Sequence, residues 1–290
     1  MDDIQSFFIL SNPRSGSSLL RVICESHPVI TVPPECGFIE WWYEKYKDWK
    51  SIDNNTKQLE FFCIDLASSR KFETWNFDFQ YFKNLVKDYN PQNYADLVAL
   101  VHIAFGLKKG KNITVWGDKN NYFINKTNLL NHLFPKAKFI HIVRDGRDVA
   151  TSYIGLKTLK TESPYIPNLP SEINEIALEW KENNNKVISF LSGLKESNIL
   201  ILRYEDLVNR LEENCKLICE FLNVPFSFQM LEYFKIGLEP LQTLDWKKKT
   251  LKRPDKLSIG KYKKLLSREE IDLFNSIAGK TLKMYGYEVL

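Results

Sequence analysis

The segment "NPRSGSS", residues 12–18, has the residue types of an anion-binding turn. It follows an apolar run at 7–10 that is typical of a buried strand, and apolar residues recur after it at helical spacing. A turn at the start of a helix directs several backbone N–H groups to one point, where the helix dipole adds partial positive charge. Gly16 lets the backbone approach a ligand closely, and Arg14 supplies a guanidinium that is always charged.

Two interpretations of this turn are open. The residue types favour a phosphate or sulfate site, whereas an ordinary capped helix start would need only the tight turn. The GxxxxGK[ST] pattern of a loop that binds nucleoside triphosphates does not occur in the segment. The turn therefore predicts an anion site of a different kind from the usual triphosphate loop.

A second group of cations, Arg144 and Arg147, follows the apolar run "KFIHIV" and precedes a probable helix. Ser152 lies two turns along that helix, so the group offers bidentate donors and a hydroxyl to a second anion. The alternative is a surface cluster in which Asp145 and Asp148 neutralise the arginines. Within the cluster, we expect Arg147 and Asp148 to serve structure by pairing with each other or with the helix end.

The elements that must position these residues alternate along the chain. Strand-like segments occur at 7–10, 114–116, 138–143 and 198–202, separated by stretches with helical periodicity. This alternation predicts an α/β fold with a parallel sheet flanked by helices. In such folds ligands bind at the carboxyl ends of the strands, where both cation groups are found.

The remaining segments complete a single domain over residues 1–290, since no linker or repeat divides the chain. Residues 51–110 and 172–194 have helical patterns, and 234–263 is expected to be a long loop. The sequence "SREE" at 267–270 is a capping box, which predicts a helix from there to about residue 285.

Composition excludes several classes of protein. A 44% apolar and 26% charged chain is typical of globular proteins, and the net charge of +4 is too small to indicate nucleic-acid binding. The one dense basic run, 247–249, is expected to be a solvated loop. Five cysteines without a CxxC pair and only four histidines argue for reduced thiols and against a metal site. Because no apolar run approaches membrane-spanning length and no secretory signal is visible, we expect a cytoplasmic protein.

Taken together, the motifs resemble those of the sulfotransferases that use 3'-phosphoadenosine 5'-phosphosulfate (PAPS), nearest in pattern to the tyrosylprotein-type and bacterial members. "PRSGSS" at 13–18 is similar to the family's 5'-phosphosulfate loop, and Arg144 with Ser152, eight residues on, to its 3'-phosphate site. Further matches extend along most of the chain: residues 27–28, 117–119, 134–138, 203–207, 260–263 and 286–288. The resemblance implies a P-loop NTPase-like fold, a four- or five-stranded parallel core sheet and no metal.

The resemblance also implies a set of donor-binding residues, with adenosine 3',5'-bisphosphate (PAP) as the product. The loop and the 3'-phosphate site are expected to contribute Arg14, Ser15, Gly16, Ser17, Ser18, Arg144 and Ser152. Tyr204 is expected beside the adenine, and Ser258 and Lys261 lie in a loop expected to close on the bisphosphate. Lys119, in "WGDKNN", resembles the family lysine at the leaving oxygen, although a surface lysine at a helix start is the alternative.

Sulfuryl transfer to a hydroxyl or amine needs a base for the acceptor's proton. Glu35, in "TVPPECGF", falls 21 residues after Arg14, where tyrosylprotein-type enzymes carry a catalytic glutamate. The alternative is that Glu35 caps the following helix. None of the four histidines matches a family base, and His27 belongs to a structural His-Pro turn. We therefore expect catalysis by Glu35, Lys119 and Arg14.

The acceptor side departs from the family pattern. Tyrosylprotein-type enzymes place arginines just after the glutamate to bind acidic peptides, whereas this chain continues with Cys36, Gly37 and several aromatic residues. An acidic peptide is therefore less expected than a partly apolar or aromatic hydroxyl compound or a sugar-bearing lipid. The alternative functions are a small-molecule or nucleoside kinase and a nucleotide-binding protein without catalysis.

Overall fold

The computed structural model describes residues 4–51, 56–159, 161, 163–237 and 250–289. Five strands form one parallel sheet in the order β2-β3-β1-β4-β5. They are β1 (Gln5–Leu10), β2 (Ile30–Thr31), β3 (Val115–Lys119), β4 (Lys138–Val143) and β5 (Ile199–Arg203). Helices flank this sheet, so the predicted α/β class with a P-loop-like parallel sheet is confirmed.

The predicted strands correspond to β1, β3, β4 and β5, while β2 was missed. Strand β2 is only two residues long and two prolines follow shortly after it, so its sequence has no strand pattern. Strand β3 extends beyond the predicted segment through "GDK", which makes Lys119 its last residue. This extension carries Lys119 to the carboxyl edge of the sheet.

Helices occupy most of the chain between the strands. Those before β4 are α1 (Ser17–Glu25), α2 (Phe38–Trp41), α3 (Tyr43–Tyr46), α4 (Thr56–Ser68), α5 (Phe79–Tyr89), α6 (Tyr94–Lys108) and α7 (Thr127–Leu133). Those after β4 are α8 (Gly146–Lys157), α9 (Ile173–Leu191), α10 (Tyr204–Asn209), α11 (Leu211–Phe221), α12 (Tyr262–Leu265) and α13 (Arg268–Met284). Within the described ranges, no helix is both long enough and apolar enough to pass through a bilayer.

Several local predictions can be compared with these elements. Ser267 caps α13, and Glu270 completes the predicted capping box. The expected loop at 234–263 contains a 3-10 turn at Lys256–Ser258 and begins within the 3-10 helix Phe228–Lys235. The basic run at 247–249 lies outside the described residues.

Strand β1 is buried on both faces, as expected for the centre of a parallel sheet. Phe7 and Ile9 pack into the apolar layer that contains α1 and α11. Phe8 and Leu10 pack into the opposite layer, which contains α4 and α6. The continuous apolar run before the anion turn therefore reflects helices on both sides of the sheet.

His141, in the middle of β4, ties the sheet to the C-terminal helix. Its ring is fully buried, and Nδ1 donates to the carbonyl oxygen of Leu10 at 3.1 Å because that oxygen can only accept. The hydroxyl of Tyr285 donates to Nε2 at 2.9 Å. Burial lowers the pKa of His141 to about 4, so the imidazole stays neutral at neutral pH.

This buried histidine makes a pH-dependent contribution to stability. Its folded-state pKa lies below that of the unfolded chain, so the unfolded state binds more protons as the pH falls through 6.5 towards 4. Lowering the pH from 7.5 to 5 should remove about 2 kcal/mol of unfolding free energy through this one group. Urea unfolding of the wild type and His141→Gln at both pH values measures the contribution.

The exposed His132 provides the control. We expect the unfolding free energy of His132→Gln to change with pH as that of the wild type does. Between pH 7.5 and 5, the unfolding free energy of His141→Gln should fall by about 2 kcal/mol less than that of the wild type. Equal pH dependence in the two variants would contradict the neutral, buried state of His141.

Candidate active site

The predicted anion turn lies between β1 and α1, at the carboxyl edge of the sheet. Arg14 and Gly16 both have positive φ angles, 64° and 96°, and the amide of Ser15 donates to the carbonyl of Asn12 at 3.3 Å. Helix α1 begins at Ser17 with Gly16 as its N-cap, so no side-chain oxygen of the cap residue competes for the first N–H groups. These amides are therefore placed for an anion.

Gly16 is required by close packing as well as by its backbone angle. A Cβ atom at this position would lie 2.4 Å from Cδ2 of Tyr204, whose ring rests against the turn. The Tyr204 hydroxyl is 2.7 Å from Oγ of Ser258, and the guanidinium of Arg144 lies 4.8 Å from the centre of the Tyr204 ring. Tyr204, which is predicted to lie beside the adenine, therefore contacts the anion turn, Arg144 and the loop that carries Ser258.

The two predicted anion sites form one site. Nε of Arg14 donates to Oγ of Ser152 at 3.1 Å, and Nη1 of Arg144 donates to the carbonyl of Arg14 at 3.3 Å. Nη2 of Arg144 donates to the carbonyl of Ser258 at 2.7 Å. Strands β1 and β4 are neighbours in the sheet, which explains why residues 130 positions apart meet here.

The electrostatics of this cluster suit an anionic ligand. Burial and the nearby charge of Arg144 lower the pKa of Arg14, because both disfavour the charged form of its guanidinium. Nε of Arg144 and Oγ of Ser15 are buried and have no hydrogen-bond partner among the described residues. Buried polar atoms are normally satisfied, so these two atoms fit a site that gains its partners from a ligand.

Glu35 and Lys119 meet at the same edge, although 84 positions separate them in the chain. Nζ of Lys119 donates to Oε1 of Glu35 in a very short ion pair, and the lysine is only 1% exposed. Its alternative role as a surface lysine is therefore wrong. Helix α2 begins at Phe38 with Gly37 as its N-cap, so the capping role considered for Glu35 is also wrong.

A second lysine holds the other oxygen of Glu35. Nζ of Lys71 donates to Oε2 at 3.0 Å, and the Lys71 backbone has a positive φ of 72°. The sequence around it, "SSRKFETW", contains no motif, and a positive φ at a lysine cannot be inferred from residue type. The role of Lys71 therefore cannot be predicted from the sequence.

Asn121 was also missed, although it lies two residues after the recognised "GDK" motif. Its Oδ1 accepts hydrogen bonds from Oγ of Ser11 at 3.3 Å and from Oγ of Ser17 at 3.2 Å. Asn121 therefore fixes the anion turn relative to the end of β3. Its position two residues after Lys119 is the signal that could have identified it.

The end of β3 is held by a buried pair of side chains, His102 and Asp118. Nδ1 of His102 donates to the carbonyl of Val98 at 2.9 Å, and Nε2 faces Oδ2 of Asp118 at 3.1 Å. Burial raises the pKa of Asp118 above its ordinary value. The pair fixes the strand residue that immediately precedes Lys119.

The acidic residues beside Arg144 have separate roles. Arg147 pairs at 2.8 Å with Asp145, the N-cap of α8, so the expected pairing of Arg147 with the helix end is confirmed and the alternative pairing with Asp148 is wrong. Asp148 is fully buried and accepts from the amides of Gly260 at 2.7 Å and Tyr262 at 3.0 Å. Asp148 thus attaches the loop that carries Ser258 to the first turn of α8.

The aromatic segment after Glu35 divides between core and surface. Phe38 and Tyr46 are buried in the core, whereas Trp41 is 41% exposed. The Trp41 ring lies parallel to that of Tyr122, with centres 6.4 Å apart, and the Tyr122 hydroxyl donates to the carbonyl of Gly37 at 3.0 Å. The exposed Trp41 and the half-buried Tyr122 therefore form an aromatic pair close in the chain to Glu35 and Lys119.

The remaining predicted residues, Ser18 and Lys261, are half-buried at the starts of α1 and α12. Their roles toward a donor stay predictions. Among the residues that the structure describes, no group of three or more His, Cys, Asp or Glu side chains is placed to hold a metal ion.

Residues 6–228 match the model of the sulfotransferase family. Protein-tyrosine sulfotransferase A of Caenorhabditis elegans is 23% identical over 226 residues, which cover 78% of this chain and 52% of the relative. Protein-tyrosine sulfotransferase of Drosophila melanogaster is 22% identical over 226 residues, 78% of this chain and 39% of the relative. The match thus spans about half of the first relative and about two fifths of the second.

Among solved structures, the sulfotransferase domain from the curacin biosynthetic pathway matches with a TM-score of 0.62 and 22% identity, covering 99% of both chains. The sulfotransferase domain from the Synechococcus PCC 7002 olefin synthase has a TM-score of 0.60 and 22% identity, covering 99% of this chain and 97% of that domain. At these identities, the likeness concerns the fold.

The attachment of the C-terminal loop by Asp148 can be tested directly. We expect Asp148→Asn to replace one acceptor oxygen by an amide that cannot accept, so the Gly260 and Tyr262 amides should exchange hydrogen at least about tenfold faster. Hydrogen-exchange mass spectrometry of residues 250–266 measures the change. Asp272→Asn, which removes an exposed carboxylate of α13, is the control, and equal protection in both variants would contradict the role of Asp148.

Proposed function

This chain belongs to the sulfotransferase family, and we propose that it transfers a sulfuryl group from PAPS to a hydroxyl acceptor. The observation that carries the proposal is the contact between Glu35 and Lys119 beside the anion turn. A carboxylate and a buried ammonium at one strand end supply a base for an incoming hydroxyl and a cation for a departing oxygen. Proteins that only bind a nucleotide do not need this pair.

The residues that would hold the donor are those of the joined anion site. Arg14, the first amides of α1, Arg144 and Ser152 would bind its phosphate groups, and the unpartnered atoms of Arg144 and Ser15 support this assignment. Tyr204 and Ser258 would form the wall beside the nucleoside. When bound, the donor supplies an activated sulfuryl group attached to its 5'-phosphate.

The remaining steps fall to the side chains at the strand end. Arg14 and Lys119 lie where negative charge develops during an in-line displacement, and Glu35 takes the proton of the acceptor hydroxyl. The two lysines orient the Glu35 carboxylate before any ligand arrives. Such preorganisation lowers the reorganisation needed in the transition state.

We propose an aromatic hydroxyl as the acceptor. The relatives are named protein-tyrosine sulfotransferases, which indicates a phenol, and the parallel rings of Trp41 and Tyr122 offer an apolar surface for one. Residues 36–38, directly after Glu35, carry no cation that would select an acidic peptide. A tyrosine in a peptide of low charge and a small phenol are therefore the acceptors to compare.

The donor site is tested by calorimetric titration. We expect wild-type protein to bind PAP, and Arg144→Ala to bind it at least about thirtyfold more weakly because a charge-assisted contact is lost. Magnesium ATP is titrated in parallel. Binding of magnesium ATP without binding of PAP would overturn the sulfotransferase assignment and favour a kinase.

The chemical roles are tested by turnover of labelled PAPS with p-nitrophenol and with a tyrosine peptide. We expect Glu35→Gln and Lys119→Met each to lower kcat by at least about a hundredfold, as for loss of a base or an oxyanion partner. Glu35→Gln should still bind PAP. Lys45→Met, which removes an exposed lysine paired with Asp65, is the control, and unaltered turnover in both site variants would refute the assigned roles.

A further inference from the structure

Glu35 is the shared partner of two lysines that come from different parts of the fold. Lys119 is the last residue of β3, whereas Lys71 lies in the connection between α4 and the 3-10 helix Phe72–Trp75. Each lysine contacts a different oxygen of the carboxylate. The arrangement therefore holds Glu35 from two sides.

In this arrangement Glu35 opposes the binding of an anion next to Lys119. The charge of Lys119 is already neutralised by the carboxylate, and a second anion nearby would be repelled by Glu35. An enzyme that needs a carboxylate base and an anionic donor around one lysine must offset this repulsion. The cation of Lys71 is in contact with Glu35 and can provide the offset.

The local structure holds Lys71 in place for this contact. Its positive φ of 72° is unfavourable for a residue with a side chain. The carbonyl of Lys71 accepts from the amide and the hydroxyl of Thr74 at 3.0 and 2.7 Å. Phe72 and Trp75, which follow it, are 2% and 3% exposed in the core. A strained backbone fixed by core packing is frequent where a side chain has a functional position.

We propose that Lys71 is a positioning residue that holds Glu35 through its second oxygen, so that Lys119 can serve an anionic donor while the base stays in place. This inference rests on the proposed function, because it assigns the anion to the donor. It predicts that Lys71 affects nucleotide binding only through Glu35. A residue that merely contributes positive charge to the site would act in the same way whether Glu35 was charged or not.

The experiment is a double-mutant cycle on PAP affinity, measured by calorimetry with wild type, Lys71→Met, Glu35→Gln and the double variant. Removing Lys71 should weaken PAP binding about fivefold when Glu35 is present, the size expected for one partly screened ion pair. The same change should alter affinity less than about twofold in Glu35→Gln, which itself should bind PAP more tightly than the wild type. Lys71→Arg should restore most of the wild-type affinity.

Glu73→Gln is the matched control for charge at a distance. Glu73 is an exposed carboxylate two residues from Lys71, and its Oε1 accepts from the hydroxyl of Tyr165. We expect its substitution to change PAP affinity less than about twofold. If it tightened binding as much as Glu35→Gln does, the effect of Glu35 would be long-range and the inference would be overturned.

Two further outcomes separate this inference from the proposed function. If wild-type protein does not bind PAP, the proposed function fails and the inference fails with it. If wild-type protein binds PAP but Lys71→Met weakens binding equally in the wild-type and Glu35→Gln backgrounds, or not at all, only the inference is overturned. Thermal unfolding of each variant shows whether it is folded. If Lys71→Met is unfolded, Lys71→Gln, which also removes the charge, takes its place in the cycle.

Discussion

The site depends on holding Arg14 and Arg144 together. Two guanidinium groups repel each other, and burial takes away the water that would screen them, which is why the pKa of Arg14 is lowered. The structure offsets this cost with fixed dipoles: Oγ of Ser152 faces Arg14, and the carbonyls of Arg14 and Ser258 face Arg144. The result is a pair of cations whose positions are fixed by contacts within the protein itself.

The order of the strands explains how one edge of the sheet collects these groups. β1 lies between β3 and β4, so the anion turn that follows β1 has Lys119 on one side and Arg144 on the other. The apolar layers on the two faces of the sheet then supply the outer contacts. Lys71 comes from the connection that follows α4, and Asp148 attaches the loop with Ser258 to α8. The site therefore draws on contacts between parts of the chain that are far apart in sequence.

Sequence patterns identified most of what lies at this edge. The apolar runs located four of the five strands, and the motifs around Arg14, Lys119 and Arg144 follow three of those strands directly. Residues close in sequence to a strand end can be placed because parallel strands share an edge. Lys71, Asp148 and the pair His102–Asp118 act through contacts across the tertiary fold, so no local spacing reveals their roles. Strand β2 was missed because two residues are too few for a periodic pattern.

The division of the aromatic segment shows how burial separates residues that look equivalent in sequence. Phe38 and Trp41 are three positions apart and begin and end the same short helix, yet the first is fully buried and the second is 41% exposed. The difference arises at Gly37, where the ring of Trp41 approaches so closely that a Cβ atom would lie 2.5 Å from it. The same glycine offers its carbonyl to Tyr122, which brings that ring parallel to Trp41. A glycine two residues after Glu35 therefore allows Trp41 and Tyr122 to pack in parallel, and this close packing explains why a bulky cation could not replace the glycine there.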